Sequence, residues 1–326
     1  MKKQIFLTGG SGFVGQHMIR EFTRAGYQVL ALTRSDRAAQ KAESLGTQAI
    51  MDDLCKLSHN SREALKTCPY VVHSAAYMDF NYEKDKFYQI NVEGSKGLVQ
   101  LAKECGVERF IYISAAPVVP GSPIQNLSEA EAQKGLPKAL YPKTKALAEK
   151  AILAANTPDF TTISLRPPAI WGPDNHHMDE MLERVRKKQW AWIGGSRQIL
   201  STIHVKNLAA ATRAAFEKGK GGQAYFVTDG DRRSMRETFS EIIKAYGLDP
   251  GQREIPLAVA SILAQASESI WKLLGFKSRP PIPPLAIRLM AREFSVSDAK
   301  ARQELGYQNV ISFQEGIREI SLQQQS

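Results

Sequence analysis

The chain has 326 residues, 43% of them hydrophobic, which suffices for one large core domain with a smaller unit attached. Its three cysteines, Cys55, Cys68 and Cys105, form no C-x-x-C pair and argue against a disulfide scaffold or a zinc site. The formal charge of +10 suits nucleic acid, an anionic membrane face or an anionic cofactor alike, so charge alone selects no partner.

Met1-Lys2-Lys3 runs directly into a strand-like segment and leaves no room for a secretory leader, so a cytoplasmic protein is expected. Gln4 to Leu7 is β-prone and is followed by Thr8-Gly9-Gly10-Ser11-Gly12-Phe13-Val14-Gly15. A helical pattern through Val14, Met18, Ile19 and Phe22 ends at Gly26, and Tyr27 to Thr33 reads as a second strand. Ala49 to Met51, Tyr70 to His73, Arg109 to Ser114 and Ile163 to Arg166 continue the strands, with helical patterns from Asn91 to Cys105 and from near Tyr141. This alternation predicts an α/β fold with a doubly wound, mostly parallel Rossmann-type sheet. Residues 1–168 are expected to form a dinucleotide-binding core. Residues 169–326 should form a smaller, mainly helical substrate lobe, with Ala224 to Val227 returning a strand to the sheet. The basic run Arg184 to Lys188 reads as a solvated helix face. Pro256 to Met290 is helical and apolar, broken by Arg279-Pro280-Pro281-Ile282-Pro283-Pro284. It is either a wall of the substrate lobe or in part a membrane-surface element, and no apolar run is long enough to span a bilayer.

Gly9, Gly12 and Gly15 lie between a strand and a helix, where glycines permit a tight turn, close approach of pyrophosphate and close packing. The helix N-terminus behind them offers free amide donors to phosphate. At the end of the second strand Arg34 and Arg37, with Ser35, suit a ribose 2′-phosphate and favour NADP. Asp36 keeps NAD open. Asp53 after the third strand either contacts adenine or caps a helix.

Tyr141 and Lys145 are four residues apart on a predicted helix and share one face. An ammonium beside a phenol stabilises phenolate, so this pair can move a proton to or from a substrate oxygen while nicotinamide carries hydride. Such chemistry calls for no metal.

Together with Thr8 to Gly15 and Tyr141 to Lys145, five further segments carry a resemblance. They are His73-Ser74-Ala75-Ala76, Asn91 to Gly94, Leu165 to Pro173, Ser201 to Leu208 and Phe294 to Tyr307. The chain resembles the extended short-chain dehydrogenase/reductases, and within them the 3β-hydroxysteroid dehydrogenase/isomerase-like group. The resemblance implies a cofactor site made by Gly9, Ser11, Gly12, Phe13, Val14, Gly15, Arg34, Ser35, Arg37, Asp53, Leu54, Ala75, Ala76, Tyr141, Lys145 and Pro168. It implies Tyr141 as proton donor and acceptor and Lys145 as its partner on the nicotinamide ribose. It also implies a serine at the end of the fifth strand, yet Ala115 occupies the position that usually carries catalysis. Ser114 precedes it. Either Ser114 reaches the substrate through local backbone placement, or another polar group replaces it, or the protein is weakly active or altered in function. His73, Asp79, Asn91 and His204 are read as supporting residues.

The expected substrate is a secondary alcohol or ketone on a lipophilic skeleton, facing Met78, Pro117, Val118, Pro168, Ile170, Trp171, His176 and Trp192, with Trp171 and Trp192 equally readable as packing residues. A 3β-hydroxysteroid or sterol leads, with a long-chain 2-alkyl-3-oxo acid beside it. A nucleotide-sugar epimerase, using Arg184, Arg186, Lys187 and Arg197, is an enzymatic alternative, and a cofactor-binding sensor is a non-catalytic one. No nucleic-acid partner is expected. Peripheral membrane contact and a homodimer stay open.

Overall fold

The computed structural model describes residues 3–78, 83–121, 124–132, 135–274 and 292–325. Asp79 and the proline-rich stretch from Arg279 to Pro284 lie outside the described residues.

Strand β1 (Gln4–Thr8) has Ile5, Phe6 and Leu7 fully buried, because a parallel strand covered on both faces has no solvent side. It is followed by β2 (Gln28–Thr33), β3 (Gln48–Met51), β4 (Tyr70–His73), β5 (Arg109–Ile113), β6 (Ile124–Leu127), β7 (Thr161–Arg166), β8 (Ala169–Trp171), β9 (Trp192–Ile193), β10 (Thr202–His204) and β11 (Gln223–Phe226). Seven of these form one parallel sheet in the order β11-β7-β5-β4-β1-β2-β3. The order reverses between β1 and β4. Doubly wound sheets open a ligand crevice at such a switch, outside the carboxyl ends of the strands.

Side-chain alternation assigns each strand residue to one of two layers. On β5, Ile111 and Ile113 join Met18, Ile19 and Phe22 of α1 (Phe13–Arg24) and Leu208, Ala211 and Ala215 of a later helix. Phe110 and Tyr112 face the opposite layer. Chain order brings α2 (Asp36–Glu43), α3 (His59–Thr67), α4 (Lys84–Lys86), α5 (Ser95–Glu104) and α6 (Leu140–Ala154), and Ala64, Leu98, Ala148 and Ile152 complete that second layer. Before α5 the chain makes a π-helical stretch, Phe87–Gly94, which the sequence pattern did not disclose.

Beyond β7 come α7 (Asp179–Arg186), α8 (Val205–Lys218), α9 (Met235–Ala245), α10 (Leu257–Leu273), α11 (Ala299–Leu305) and α12 (Phe313–Gln323). Helix α8 and β11 pack into the sheet core. Arg184, Arg186 and Lys187 are solvated and paired with Glu180 and Glu183. Helix α10 buries Ala260 and Ala264 while Val259, Ile262, Leu263, Ile270 and Leu273 are exposed. Among the described residues no helix is long and apolar enough to cross a membrane.

Candidate active site

Residue Gly9 adopts φ +76°, and a Cβ there would come within 2.8 Å of the Ala75 amide nitrogen. A Cβ on Gly15 would run into the Gly9 carbonyl and reach 2.7 Å from Gly10 Cα. Both positions must therefore be glycine for the chain to close on itself. Gly12 differs. It is exposed, and its Cβ would meet nothing in the protein nearer than the Gly9 oxygen at 3.3 Å, so its open side is left for a ligand. Gly12 caps α1 without a side-chain bond, leaving the first-turn amides of Phe13 and Val14 unspent beside Ser11. This cradle fits a pyrophosphate at a helix N-terminus.

Strand β2 ends at Thr33, so Arg34 is the residue directly at the strand end, and both Arg34 and Arg37 are exposed. Asp36 instead opens α2, where a carboxylate complements the helix dipole. Ser35 caps that helix by accepting from Ala38 N. Asp53 is exposed and accepts from Cys55 N. The capping carboxylate of α3 is its neighbour Asp52, which accepts from Ser58 and Ser61. The helix-cap expectation for Asp53 was thus one residue out of register. Leu54 packs against the second core layer and under Gly94.

The floor of the crevice is a hydrogen-bond chain whose direction can be derived. Ser95 Oγ donates to Asn91 O, so it accepts from His73 Nε2 at 2.8 Å. His73 Nδ1 is then the acceptor for Thr8 Oγ1 at 2.7 Å, and Thr8 Oγ1 accepts from Ala75 N. Burial lowers the His73 pKa to about 3, and a neutral ring is what this chain requires. His73 is a strut that joins β1, β4 and α5 beneath Ala75 and the exposed Ala76. Asn91, in the π-helical stretch, accepts from Tyr77 N and donates to Tyr77 O and Thr144 Oγ1, tying the crevice wall to α6.

Helix α6 brings Tyr141 and Lys145 onto one face. Tyr141 packs beside Ala115, Ala116, Val118, Val119 and Phe226, and burial raises its pKa to about 12. Lys145 is buried, donates to Ile113 O at 2.6 Å and stands 4.2 Å above the Tyr112 ring. Burial lowers its pKa to about 7 against the opposing pull of Glu149. Glu149, which the sequence did not single out, is buried and accepts from Ser164 Oγ and from Arg166 Nε and Nη2. A phenol that holds its proton, next to a lysine that can release or keep one near neutrality, is suited to proton transfer at a carbonyl or hydroxyl oxygen.

Ser114 and Ala115 stay extended. Ser114 N bonds Leu165 O, Ala115 has φ −155°, and Ala116 N bonds Pro167 O next to Pro168. Ala115 therefore lines the apolar cluster of Tyr141. Ser114 follows Phe110 and Tyr112 on the α6 side of the sheet, with its hydroxyl buried and without a hydrogen-bond partner among the described residues. Of the two readings open for Trp171 and Trp192, pocket wall or packing, both side chains take the second. Trp171 Nε1 bonds Asp229 and Trp192 Nε1 bonds Gly251 O, with both rings buried. Asp229, also missed in sequence, accepts from Trp171, Thr202, His204 N and Asn207, which binds β8, β10 and α8 into one unit. His176 is exposed beside Asp179. Among the described residues no group of three or more metal-ligating side chains occurs.

The glycine cradle at the sheet's switch point and the Tyr141–Lys145 pair at its edge define an NAD(P)-dependent dehydrogenase/reductase of the extended short-chain class. Comparison with known proteins narrows this. The chain belongs to the 3-beta hydroxysteroid dehydrogenase/isomerase family, whose sequence profile matches residues 6–258. It is 34% identical to a 4-hydroxy-2-methyl-3-oxo-4-farnesyl-3,4-dihydroquinoline-1-oxide ketoreductase of Stigmatella aurantiaca, over 96% of this chain and 94% of that one. It is 31% identical to a decarboxylating sterol-4-alpha-carboxylate 3-dehydrogenase of Dictyostelium discoideum, over 98% and 100%. A 2-alkyl-3-oxoalkanoate reductase of Stenotrophomonas maltophilia is 29% identical over 97% and 98%. The protein is accordingly an NAD(P)-dependent oxidoreductase of this family.

Proposed function

We propose that the protein reduces a 3-oxo group flanked by a substituted carbon on a lipophilic skeleton, with Tyr141 giving the proton. The observation that carries this reading is Tyr141 at the edge of the apolar cluster of Ala115, Ala116, Val118, Val119 and Phe226, with buried Lys145 one turn behind it. The names of the relatives point the same way. A 2-methyl-3-oxo-4-farnesyl ring, a 4-carboxylated sterol acted on at carbon 3, and a 2-alkyl-3-oxo acid all pair carbon 3 with a substituted neighbour. Ketone reduction is preferred to steroid oxidation because the first and third of these relatives are named reductases.

A bound nicotinamide supplies the hydride. Tyr141 donates its phenolic proton to the forming alkoxide, and Lys145 supports the phenolate that remains. Ser114, unpartnered among the described residues, is the proposed second donor to the substrate oxygen. Arg34, at the end of β2 and exposed, favours NADP over NAD. A nucleotide-sugar reading loses support because Arg184, Arg186 and Lys187 are spent on neighbouring carboxylates and Arg197 lies beside Glu254.

The test is absorbance loss of NADPH or NADH with purified protein and branched 3-oxo acids, 3-ketosteroids and UDP-sugars, with Tyr141→Phe in parallel. Turnover of a branched lipophilic ketone, faster with NADPH and lost in Tyr141→Phe, is expected. Turnover that survives Tyr141→Phe, or redox-neutral conversion of a UDP-sugar alone, overturns the reading.

A further inference from the structure

Behind Lys145 lies a charge that the proton-transfer scheme does not use. Tyr141, Lys145 and Glu149 occupy successive turns on one face of α6. Lys145 is 1% exposed, and among the described residues its direct compensation is one carbonyl, Ile113 O, and the face of Tyr112. The titratable and charged groups around it are His73 from β4, Tyr112 from β5, Tyr141 and Glu149 from its own helix, and Arg166 of β7 behind Glu149. Neutral His73 contributes no charge. Glu149 is thus the one anion in this group.

That anion is held unusually firmly. Ser164 Oγ lies 2.6 Å from Oε2, while Arg166 Nε reaches both oxygens at 3.1 and 3.0 Å and Nη2 reaches Oε1 at 2.6 Å. The guanidinium is also within 5.5 Å of the Phe226 ring centroid. A buried ion pair of this kind commonly contributes no more stability than apolar side chains of the same volume. Its retention one turn from a buried ammonium therefore calls for an electrostatic explanation.

We propose that Glu149, clamped by Arg166 and Ser164, is a positioning residue that keeps Lys145 charged behind Tyr141 and so sets the alkaline end of the working pH range. This rests on the proton-transfer roles proposed above for Tyr141 and Lys145. The clamp matters because a carboxylate free to swing toward water would weaken its coulombic pull on Lys145. Removing the carboxylate makes the ammonium costlier, so Lys145 loses its proton at lower pH. Removing Arg166 takes away a competing cation, so Lys145 keeps its proton to higher pH.

Two variants carry the test, Glu149→Gln and Arg166→Gln, read in two ways. The first is the pH titration of the Lys145 ε-methylene NMR signal in cofactor-free protein, assigned by its loss in Lys145→Met. The second is the alkaline limb of kcat for ketone reduction. In Glu149→Gln both midpoints should fall by about one pH unit, and in Arg166→Gln both should rise. A merely structural pair would lower activity in both variants and move neither midpoint. If a single variant does not fold, Glu149→Met combined with Arg166→Met removes the ion pair without leaving a bare charge, and a smaller downward shift is expected, because Glu149 acts on Lys145 directly and Arg166 from behind it. An unmoved NMR midpoint overturns this inference whether or not a ketone is turned over. Turnover that survives Tyr141→Phe overturns the proposed function instead.

Discussion

The ammonium of Lys145 stands 4.2 Å from the centre of the Tyr112 ring, inside the protein and one helical turn from Tyr141. Burial lowers its pKa from 10.5 to about 7. Between those values the unfolded chain binds more protons than the folded one, so stability rises with pH through that window. The denaturation midpoint of cofactor-free protein should therefore climb between pH about 7 and about 9, and Lys145→Met should flatten the climb. The same variant should lose roughly 10²-fold or more in kcat. An equal slope in Lys145→Met would show that the ammonium is solvated.

Three buried histidines act in the opposite pH range. Burial is the main cause that lowers His73 and His204 to about 3 and His17 to about 4, from an ordinary 6.5. Their stabilising contribution is complete above pH 6.5 and is lost as pH falls toward those values. Each contributes about 1.4 kcal/mol per pH unit of slope where its folded and unfolded forms differ by a full proton. Urea titrations of wild type should show stability falling below pH about 6.5, with a shallower fall in His17→Gln. A slope unchanged by that substitution would place the acid sensitivity elsewhere.

The glycine loop separates packing from ligand approach. Gly15→Ala would push a methyl into the Gly9 carbonyl and against Gly10, so misfolding or loss of soluble protein is expected. Gly12→Ala meets only the Gly9 oxygen, at 3.3 Å, and should fold. Its methyl would occupy the space a pyrophosphate needs, so NADPH affinity measured by fluorescence should drop about tenfold or more. Unaltered affinity in Gly12→Ala would mean that the dinucleotide crosses the loop elsewhere.

These contrasts bear on what could be read from sequence. Local spacing disclosed the glycine turn and the Tyr141–Lys145 pair, because each is built from residues within two turns of chain. The hydrophobic pattern disclosed the seven strands of the main sheet, with the last read as Ala224 to Val227 where the structure has Gln223–Phe226, but not the short β6, β8, β9 and β10. Polar partners far apart in sequence were not legible. Glu149 meets Arg166 across 17 residues, and Asp229 gathers Trp171, Thr202, His204 and Asn207 from three elements. Trp192 shows the same limit. An aromatic side chain near a lobe boundary reads as a pocket wall until its indole is seen bonded to Gly251 O and stacked edge-on against Trp190.

Cofactor choice turns on one residue of register. Because β2 stops at Thr33, Arg34 is the exposed residue directly at the strand end, where the proposed 2′-phosphate would lie, and Asp36 is committed to the first turn of α2. Arg34→Ala should remove a charge-assisted contact of about 1.5–3 kcal/mol to a 2′-phosphate. The NADPH dissociation constant should then rise roughly 10- to 100-fold with NADH little changed. A parallel loss for both cofactors would assign Arg34 to the shared part of the dinucleotide.

Ser114 offers the sharpest contrast between stability and activity. Its Oγ is buried without a partner among the described residues, and a polar atom in that state costs about 1–3 kcal/mol. Ala115 beside it has no hydroxyl to offer, and the extended backbone directs the two side chains to opposite faces. If the missing partner of Ser114 is the substrate oxygen, Ser114→Ala should leave the cofactor-free protein as stable or more stable while kcat falls about tenfold or more. Denaturation and steady-state kinetics on the same preparation separate the cases. Higher stability with undiminished kcat would mean that the oxygen takes its second hydrogen bond from another group, and that Tyr141 and Lys145 work without a serine.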